Sequence, residues 1–402
     1  MDRIYTSVIK EHLQEYRQMV FLAGPRQVGK TVCCKVLESV FSDYYYLNWD
    51  NSADRRLLIQ GTQSLADYGM LGKARESLPL LVLDEIHKYR KWKQLLKGFF
   101  DHYESKCRIV VTGSAKLDIY RRGSDSLMGR YFLYRCHPLS VRELLSTQLR
   151  DTEIVSPQKL PEEDWQKLFL FGGFPEPFNR ANKRFSSNWQ RLRKQQLLNE
   201  DIRQLNQIQE LAELEYLMDI LASEAGGQLS VAGIANQLNV AESTIHRWIK
   251  LLSVFYYIYT IKPWFKNIRR AIRKTPKVYL WDWSLLADPG RRVENLIASH
   301  LYKAVHYWTD LGFGEYDLFY LRDKEKREVD FLVTKNKIPW FLVEVKTSLN
   351  RGISKQLYYY SQQLNVSHAF QVVYDMPYEQ VDCFSYREPV IVPALTFLSQ
   401  LI

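Results

Sequence analysis

The sequence lacks the features that mark secreted proteins, membrane-embedded proteins and proteins stabilised by structural zinc. It has five cysteines in 402 residues and no CxxC spacing, which argues against a disulfide framework and a structural zinc site. Nowhere do eighteen apolar residues run together, and the first residues lack the apolar core of a signal peptide. HExxH and GxGxxG motifs are also missing. We therefore expect a cytoplasmic protein without a membrane anchor.

The bulk composition is that of a folded chain with a basic surface. Hydrophobic residues make up 46% and charged residues 25%, and the length predicts two to four domains. The net charge is +10, and residues 262–277 contain seven basic residues and no acid. This balance favours a polyanionic partner.

A glycine-rich motif follows a short apolar segment near the start. Residues 19–23 (MVFLA) predict a buried strand, and a helical pattern begins after residue 31. Glycines at the two ends of a GxxxxGK[ST] loop let the backbone N–H groups wrap phosphate oxygens. We predict that this loop binds ATP, with Lys30 at the β- and γ-phosphates and Thr31 on Mg²⁺. The predicted nucleotide-binding residues are Gly24, Pro25, Arg26, Gln27, Val28, Gly29, Lys30 and Thr31.

Two further apolar segments end in polar residues that suit the same chemistry. The segment 78–83 ends at Asp84 and Glu85, where a P-loop enzyme needs one acid for Mg²⁺ and a neighbouring acid for the attacking water. The segment 108–113 ends at Ser114. We predict Ser114, with Thr112 as second choice, as the group that senses the γ-phosphate.

The order of these motifs resembles a known family. GPRQVGKT, LVLDEIH, VVTGS, residues 127–130 and residues 138–143 together resemble the AAA-type ATPases of bacteria and archaea that carry a C-terminal domain of unknown function. Residues 171–177 resemble the lid segment of that family. The resemblance implies a homo-oligomer, such as a hexameric ring, in which an arginine reaches the neighbour's γ-phosphate. Arg130 is the first candidate, Arg121 and Arg122 are rivals, and the alternative for each is a solvated surface arginine.

The middle of the chain predicts a helical lid followed by a winged helix. In residues 228–252 an apolar stripe at i, i+3, i+4 and i+7 leaves polar residues on the other face of the second helix. That face suits a recognition helix, and the basic stretch after it suits a cationic wing. The predicted DNA-binding residues are Thr244, His246, Arg247, Lys250, Lys266, Arg269, Arg270, Arg273 and Lys274. RNA and a protein partner remain alternatives.

The last part of the chain carries a constellation of acids and a lysine. Asp330 lies in one predicted strand, Glu344 and Lys346 share a face of the next, and Glu294 lies in a preceding helix. This set resembles the PD-(D/E)xK nuclease fold. The resemblance implies that Asp330 and Glu344 hold a divalent metal and that Lys346 assists the nucleophile. The alternatives are a relic of the fold and a chemically silent DNA-binding platform.

The predicted fold is therefore α/β: a P-loop AAA-type ATPase core (1–150), a helical lid (151–225), a winged helix (226–285) and an α/β nuclease-like domain (286–402). The predicted function is that of an ATPase using ATP and Mg²⁺ to remodel or unwind DNA, with branched or junction DNA as the favoured substrate. The alternatives are an ATP-dependent nuclease and a P-loop regulatory switch that binds protein partners.

Overall fold

The described residues form two compact units. The computed structural model describes residues 1–73, 75–113, 127–202, 210–264, 275–349 and 352–402. The first unit comprises Met1–His137 with Ser146–Leu149, and the second comprises Pro138–Leu145 with Arg150–Ile402. Among the described helices, none has both the length and the apolar character that crossing a bilayer requires.

A five-stranded sheet forms the centre of the first unit. Its order is β2-β3-β4-β1-β5, and every neighbouring pair is parallel. All residues of β1 and β3 are buried, as expected when helices cover both faces of a parallel sheet. Because the strands run in one direction, their carboxyl ends lie along one edge. The strands are β1 (Met19–Ala23), β2 (Tyr44–Asn48), β3 (Leu80–Asp84), β4 (Arg108–Gly113) and β5 (Tyr131–Arg135).

Helices bury apolar side chains against this sheet. Trp92, Leu95, Leu96 and Phe99 of α5 are buried at i, i+3, i+4 and i+7 and belong to the same core as the strand residue Phe21. The helices of this unit are α1 (Ile4–Glu15), α2 (Lys30–Val36), α3 (Ser52–Gln60), α4 (Thr62–Tyr68) and α5 (Trp92–Tyr103).

A seven-stranded mixed sheet organises the second unit. Its order is β12-β11-β10-β9-β8-β6-β7. Strands β8, β9 and β10 are antiparallel neighbours, whereas β10, β11 and β12 run parallel. The strands are β6 (Ile258–Pro263), β7 (Lys277–Leu280), β8 (Tyr316–Arg322), β9 (Glu328–Lys335), β10 (Ile338–Lys346), β11 (His368–Val373) and β12 (Val390–Pro393). The helices are α6 (Val141–Leu145), α7 (Glu162–Phe171), α8 (Pro175–Arg180), α9 (Lys183–Gln196), α10 (Leu211–Ser223), α11 (Val231–Leu238), α12 (Glu242–Val254), α13 (Pro289–Asp310), α14 (Lys355–Leu364) and α15 (Ala394–Ser399).

The helix pair α11–α12 follows the predicted pattern. The Ser230 hydroxyl accepts the Gly233 N–H at 3.2 Å and caps α11. Helix α12 begins at Glu242, directly after Ala241. The apolar stripe of α12 is buried at Ile245, Trp248 and Leu252 and half-buried at Ile249.

The two units divide the chain differently from the sequence-based boundaries. Residues 138–145 belong to the second unit, although the sequence places them in a core that ends at residue 150. Strand β6 pairs with β7 on one side and β8 on the other. One sheet therefore continues across the predicted boundary at residue 285, and the four-domain division stays a prediction.

Candidate functional site

The loop between β1 and α2 needs its two glycines. Gly29, directly before the first residue of α2, has φ +104°, a left-handed value that favours glycine. A Cβ on Gly24 would lie 2.3 Å from the carbonyl oxygen of Cys136, so no side chain fits there. The local geometry thus requires glycine at both motif positions.

A buried arginine supports this loop. Arg3, only 2% exposed, donates through Nη1 to the Val28 carbonyl oxygen and through Nη2 to the His137 carbonyl oxygen at 2.5 Å. Its guanidinium lies 5.5 Å from the centroid of the Tyr5 ring. The sequence analysis missed Arg3, because no motif links it to a loop 25 positions later.

Lys30 is held by the loop that it follows. Its Nζ donates to the carbonyl oxygens of Gly24 at 2.9 Å and Pro25 at 2.7 Å. The side chain is buried, and burial lowers the pKa of Lys30, while the nearby Glu85 and Asp84 carboxylates oppose that shift. A buried lysine between carbonyls and carboxylates is suited to exchange these partners for the oxygens of a polyanion.

Asp84 is the centre of a hydrogen-bonded group at the carboxyl edge of the sheet. Its Oδ2 accepts the Thr31 hydroxyl at 2.9 Å and the Tyr46 hydroxyl at 2.5 Å, and its Oδ1 accepts the Thr112 hydroxyl. Asp84 is 2% exposed. Parallel β3 and β4 bring Asp84 and Thr112 together, and α2 adds Thr31. A carboxylate beside a threonine hydroxyl supplies the hard oxygen ligands that Mg²⁺ prefers, so these residues fit the predicted ion.

Glu85 presents an unused acceptor beside this group. Its backbone is left-handed, with φ 57°, and its N–H donates to the Thr112 carbonyl oxygen at 3.1 Å. The carboxylate oxygen Oε2 is buried and accepts no hydrogen bond from the described residues, although Lys88 Nζ lies 3.4 Å and His87 Nε2 3.7 Å away. Such an oxygen can accept a proton or a hydrogen bond from water.

Of the two predicted γ-phosphate sensors, only Thr112 lies among the described residues. Thr112 is fully buried and its hydroxyl is engaged by Asp84. Ser114 lies outside the described residues, as do the rival arginines Arg121 and Arg122.

Arg130 lies at the amino-terminal ends of the strands, whereas the glycine loop lies at their carboxyl ends. It directly precedes β5, whose first residue pairs with Met19 at the amino end of β1. Strand geometry separates the two edges by about 15 Å. Arg130 forms an ion pair with Asp101 through Nε at 2.5 Å and Nη2 at 3.0 Å. Arg130 thus lies well away from the loop of its own chain.

The second unit brings together the four nuclease-like residues. Lys346 Nζ donates to Glu344 Oε1 at 2.8 Å, and the Val345 N–H donates to Asp330 Oδ2 at 2.8 Å. Glu294 accepts the Tyr279 hydroxyl at 2.8 Å. Burial, with Asp330 nearby, raises the pKa of both Glu294 and Glu344 to about 7.

A lysine absent from the predicted set lies among these acids. Lys277, 3% exposed, places Nζ 2.6 Å from Glu328 Oε1, 3.4 Å from Glu294 Oε1 and 3.6 Å from Asp330 Oδ1. Lys277 is the last residue of the basic stretch 262–277, but its charge is buried and balanced by acids. It therefore adds no positive charge to the surface.

The predicted nuclease metal does not fit this arrangement. Both oxygens of Asp330 already face donors, Val345 N–H and the Lys277 ammonium. Within the described ranges, no group of three or more carboxylate, histidine or cysteine side chains is arranged to hold a metal ion.

The predicted nucleic-acid face of α12 is open to solvent. His246, Arg247 and Lys250 are exposed and Thr244 is half-buried. The other predicted contacts lie outside the described residues: Lys266, Arg269, Arg270, Arg273 and Lys274.

The parallel sheet and its glycine loop define a P-loop nucleotide-binding domain. Residues 16–145 match the family model described as "AAA domain", so this domain is of the AAA type. Two more models match the remainder: "Domain of unknown function (DUF8612)" at residues 162–289 and "Domain of unknown function (DUF4143)" at residues 289–382. Neither description states an activity.

The chain also resembles proteins without an assigned function. An uncharacterized protein of Mycobacterium tuberculosis is 25% identical over 346 residues, which cover 84% of this chain and 72% of that protein. Another, from Methanocaldococcus jannaschii, is 24% identical over 329 residues, covering 77% and 70%.

Likeness to solved structures is weak. AMPPCP-bound DnaA from Aquifex aeolicus is 13% identical with a TM-score of 0.31, covering 61% of this chain and 86% of that one. C. elegans PCH-2 is 15% identical with a TM-score of 0.29, covering 45% of this chain and 59% of that one. At these scores the likenesses carry no argument about function.

Proposed function

We propose that the first unit binds Mg-ATP at the P-loop and hydrolyses it. One observation carries the proposal: Lys30, Thr31 and Asp84 meet at the carboxyl edge of a parallel sheet, with the Thr31 hydroxyl bonded to Asp84. Lys30 would bind the β- and γ-phosphates, and Thr31 and Asp84 would hold Mg²⁺, which offsets the charge of the phosphate oxygens.

The residues around the proposed Mg²⁺ position suggest a separate role for each side chain. Asp84 is fixed by Tyr46 and Thr112 and so presents its carboxylate in one orientation. Glu85 has a buried oxygen with no described hydrogen-bond donor, which suits it to orient the attacking water. Lys30 supplies a positive charge from a buried position, where electrostatic interactions are stronger than in water.

The first test compares two lysines of α2. Lys30→Ala should lower steady-state ATP hydrolysis by about 100-fold or more, whereas the exposed Lys35→Ala should hydrolyse ATP at the rate of the wild type. Chelation of Mg²⁺ should abolish the wild-type rate. Equal rates for wild type and Lys30→Ala would place the hydrolysis elsewhere, or in a contaminant.

We further propose that ATP turnover is coupled to remodelling of DNA, with branched duplexes as the favoured form. The support is the exposed basic face of α12, a helix that follows a short turn after α11 and precedes the β6–β7 pair. In this proposal Arg247 and Lys250 contact phosphates, and such contacts weaken as salt rises. The net charge of +10 is consistent with a polyanionic partner.

The DNA proposal is tested with charge-removing variants of two helices. ATP hydrolysis and DNA binding are measured with single-stranded, duplex and four-way junction DNA. The double variant Arg247→Gln/Lys250→Gln should weaken binding about tenfold and reduce the salt slope by about 2. The control variant Arg184→Gln/Arg191→Gln removes two exposed charges from α9 and should leave the DNA affinity and its salt slope unchanged. An ATPase rate that no DNA changes would instead favour a regulatory switch with a protein partner.

A further inference from the structure

The charged cluster of the second unit contains its own cation. We propose that Lys277 stands where a divalent metal would bridge the carboxylates, so that the cluster is complete without a metal and the unit does not cleave phosphodiesters. The inference is independent of the proposed ATPase activity.

Distances from the Lys277 ammonium group show that it lies at the centre of the cluster. Its Nζ lies within 3.6 Å of oxygens from three carboxylates on two elements: Glu294 of α13, and Glu328 and Asp330 of β9. Lys277 itself lies on a third element, β7. Lys277 is buried, and its Nζ lies 5.6 Å from the centroid of the Tyr320 ring. A divalent ion at this point would have to displace the ammonium group or share its oxygens.

The remaining oxygens are largely committed as well. Glu328 Oε2 accepts Arg322 Nη1 at 2.8 Å, and Asp330 Oδ2 accepts the Val345 N–H. Glu344 Oε1 accepts Lys346. Glu344 Oε2 is buried and has no hydrogen-bond donor among the described residues. A divalent ion would therefore have to compete with protein donors for most of the carboxylate oxygens near Lys277, even with water completing its ligands.

The charge balance leads to the same conclusion. Burial opposes the ammonium form of Lys277, but Glu294, Asp330 and Glu328 outweigh it and raise the pKa of Lys277. The cluster then holds three cationic groups and four carboxylates: Lys277, Lys346, Arg322, Glu294, Glu328, Asp330 and Glu344. A charged lysine at the centre repels a divalent cation.

Removing Lys277 should therefore open a metal site. Lys277→Met keeps the length of the side chain but leaves the carboxylates of Glu294, Glu328 and Asp330 facing one another without a cation. A divalent ion is then the simplest way to offset their repulsion. The unpartnered Oε2 of Glu344 is available as a further ligand.

The experiment is a Mn²⁺ titration of the full chain, without nucleotide, monitored by calorimetry and thermal unfolding. All samples carry Asp84→Asn, so that the P-loop contributes no ion. The parent with Lys277 should bind no Mn²⁺. Lys277→Met should bind one Mn²⁺ per chain, at least about 100-fold more tightly than any residual binding to the parent, and its Tm should rise with Mn²⁺. Lys346→Met, the matched control, should behave like the parent.

Two results would overturn the proposal. One is stoichiometric Mn²⁺ binding by the parent that disappears in Asp330→Asn, together with Mn²⁺-dependent plasmid nicking lost in the same variant. The other is a folded Lys277→Met that binds no Mn²⁺. If Lys277→Met does not fold, the test rests on the parent protein. A parent that neither binds Mn²⁺ nor nicks plasmid supports the proposal. Mn²⁺ binding or nicking that is lost in Asp330→Asn refutes it.

Discussion

At the residue scale, the nucleotide site consists of a motif that the sequence reveals and of supports that it does not. The strand, the two glycines, Lys30 and Thr31 are contiguous, so local spacing is enough to predict them. Asp84 follows from an apolar run that ends in acids. Arg3 and Tyr46 reach the site only through the fold, because their partners are distant in sequence.

The support given by Arg3 can be measured. Arg3→Met removes the donor to the Val28 carbonyl and leaves that group unsatisfied, which should cost about 1–3 kcal/mol of stability. The loop should loosen, so ATP should bind about tenfold more weakly in an equilibrium titration. Arg17→Met, which removes an exposed arginine paired with Glu104, is the control and should change neither quantity. An Arg3→Met protein with wild-type ATP affinity would show that Arg3 does not position the loop.

At the element scale, α13 joins the charged cluster to the interior of the second unit. Glu294 in its first half faces Lys277, and His300 lies deeper, 1% exposed. The Nε2 atom of His300 accepts the Val141 N–H at 3.1 Å, so Nδ1 carries the proton and donates to the Leu296 carbonyl oxygen at 2.8 Å. Burial lowers the pKa of His300 to about 3.

This histidine should contribute an acid-sensitive part to the stability of the second unit. Its sign is opposite to that of Glu294 and Glu344, whose raised pKa values favour the folded state as pH falls. The unfolded chain takes up a proton near pH 6.5, whereas the folded chain does so only near pH 3, so stability is present above pH 6.5 and is lost as pH falls. The loss is up to about 1.4 kcal/mol per pH unit, or about 2 kcal/mol by pH 5. Urea unfolding at pH 7.5 and pH 5 isolates the histidine as the difference between two proteins: acidification should cost His300→Gln about 2 kcal/mol less stability than it costs the wild type. The exposed His102→Gln should keep the wild-type slope, and an unchanged slope in His300→Gln would refute this origin.

Elements were easier to predict than their pairing. Strand β1 has the predicted bounds, and the apolar stripe of α12 is buried at the predicted spacing, because periodicity is a local property of the sequence. The burial of Lys277 among acids was not predicted, because its acidic partners lie 17 or more positions away.

At the scale of the whole molecule, Arg130 suggests assembly. It lies at the sheet edge opposite the P-loop of its own chain, so it can act on a nucleotide only in a second copy. A homo-oligomer in which Arg130 approaches the neighbour's γ-phosphate is the arrangement we propose, a closed ring being its symmetric form.

Mixing two inactive variants tests this assembly. Arg130→Ala should lower ATP hydrolysis by about 1000-fold without changing ATP affinity, because its own P-loop is intact. Mixed with Lys30→Ala, which keeps Arg130, part of the rate should return. Asp101→Ala, which removes only the ion-pair partner of Arg130, should remain active. An inactive mixture with normal subunit exchange would contradict action in trans.

The central claim is hydrolysis of ATP at the P-loop, and one pair of variants tests it most directly. ATP affinity and single-turnover hydrolysis are measured for the wild type and for Glu85→Gln, which keeps the size of the side chain but cannot accept the proton of water. We expect equal affinity and a rate reduced about 100-fold or more in Glu85→Gln. Equal rates, or no hydrolysis by either protein, would contradict the proposal.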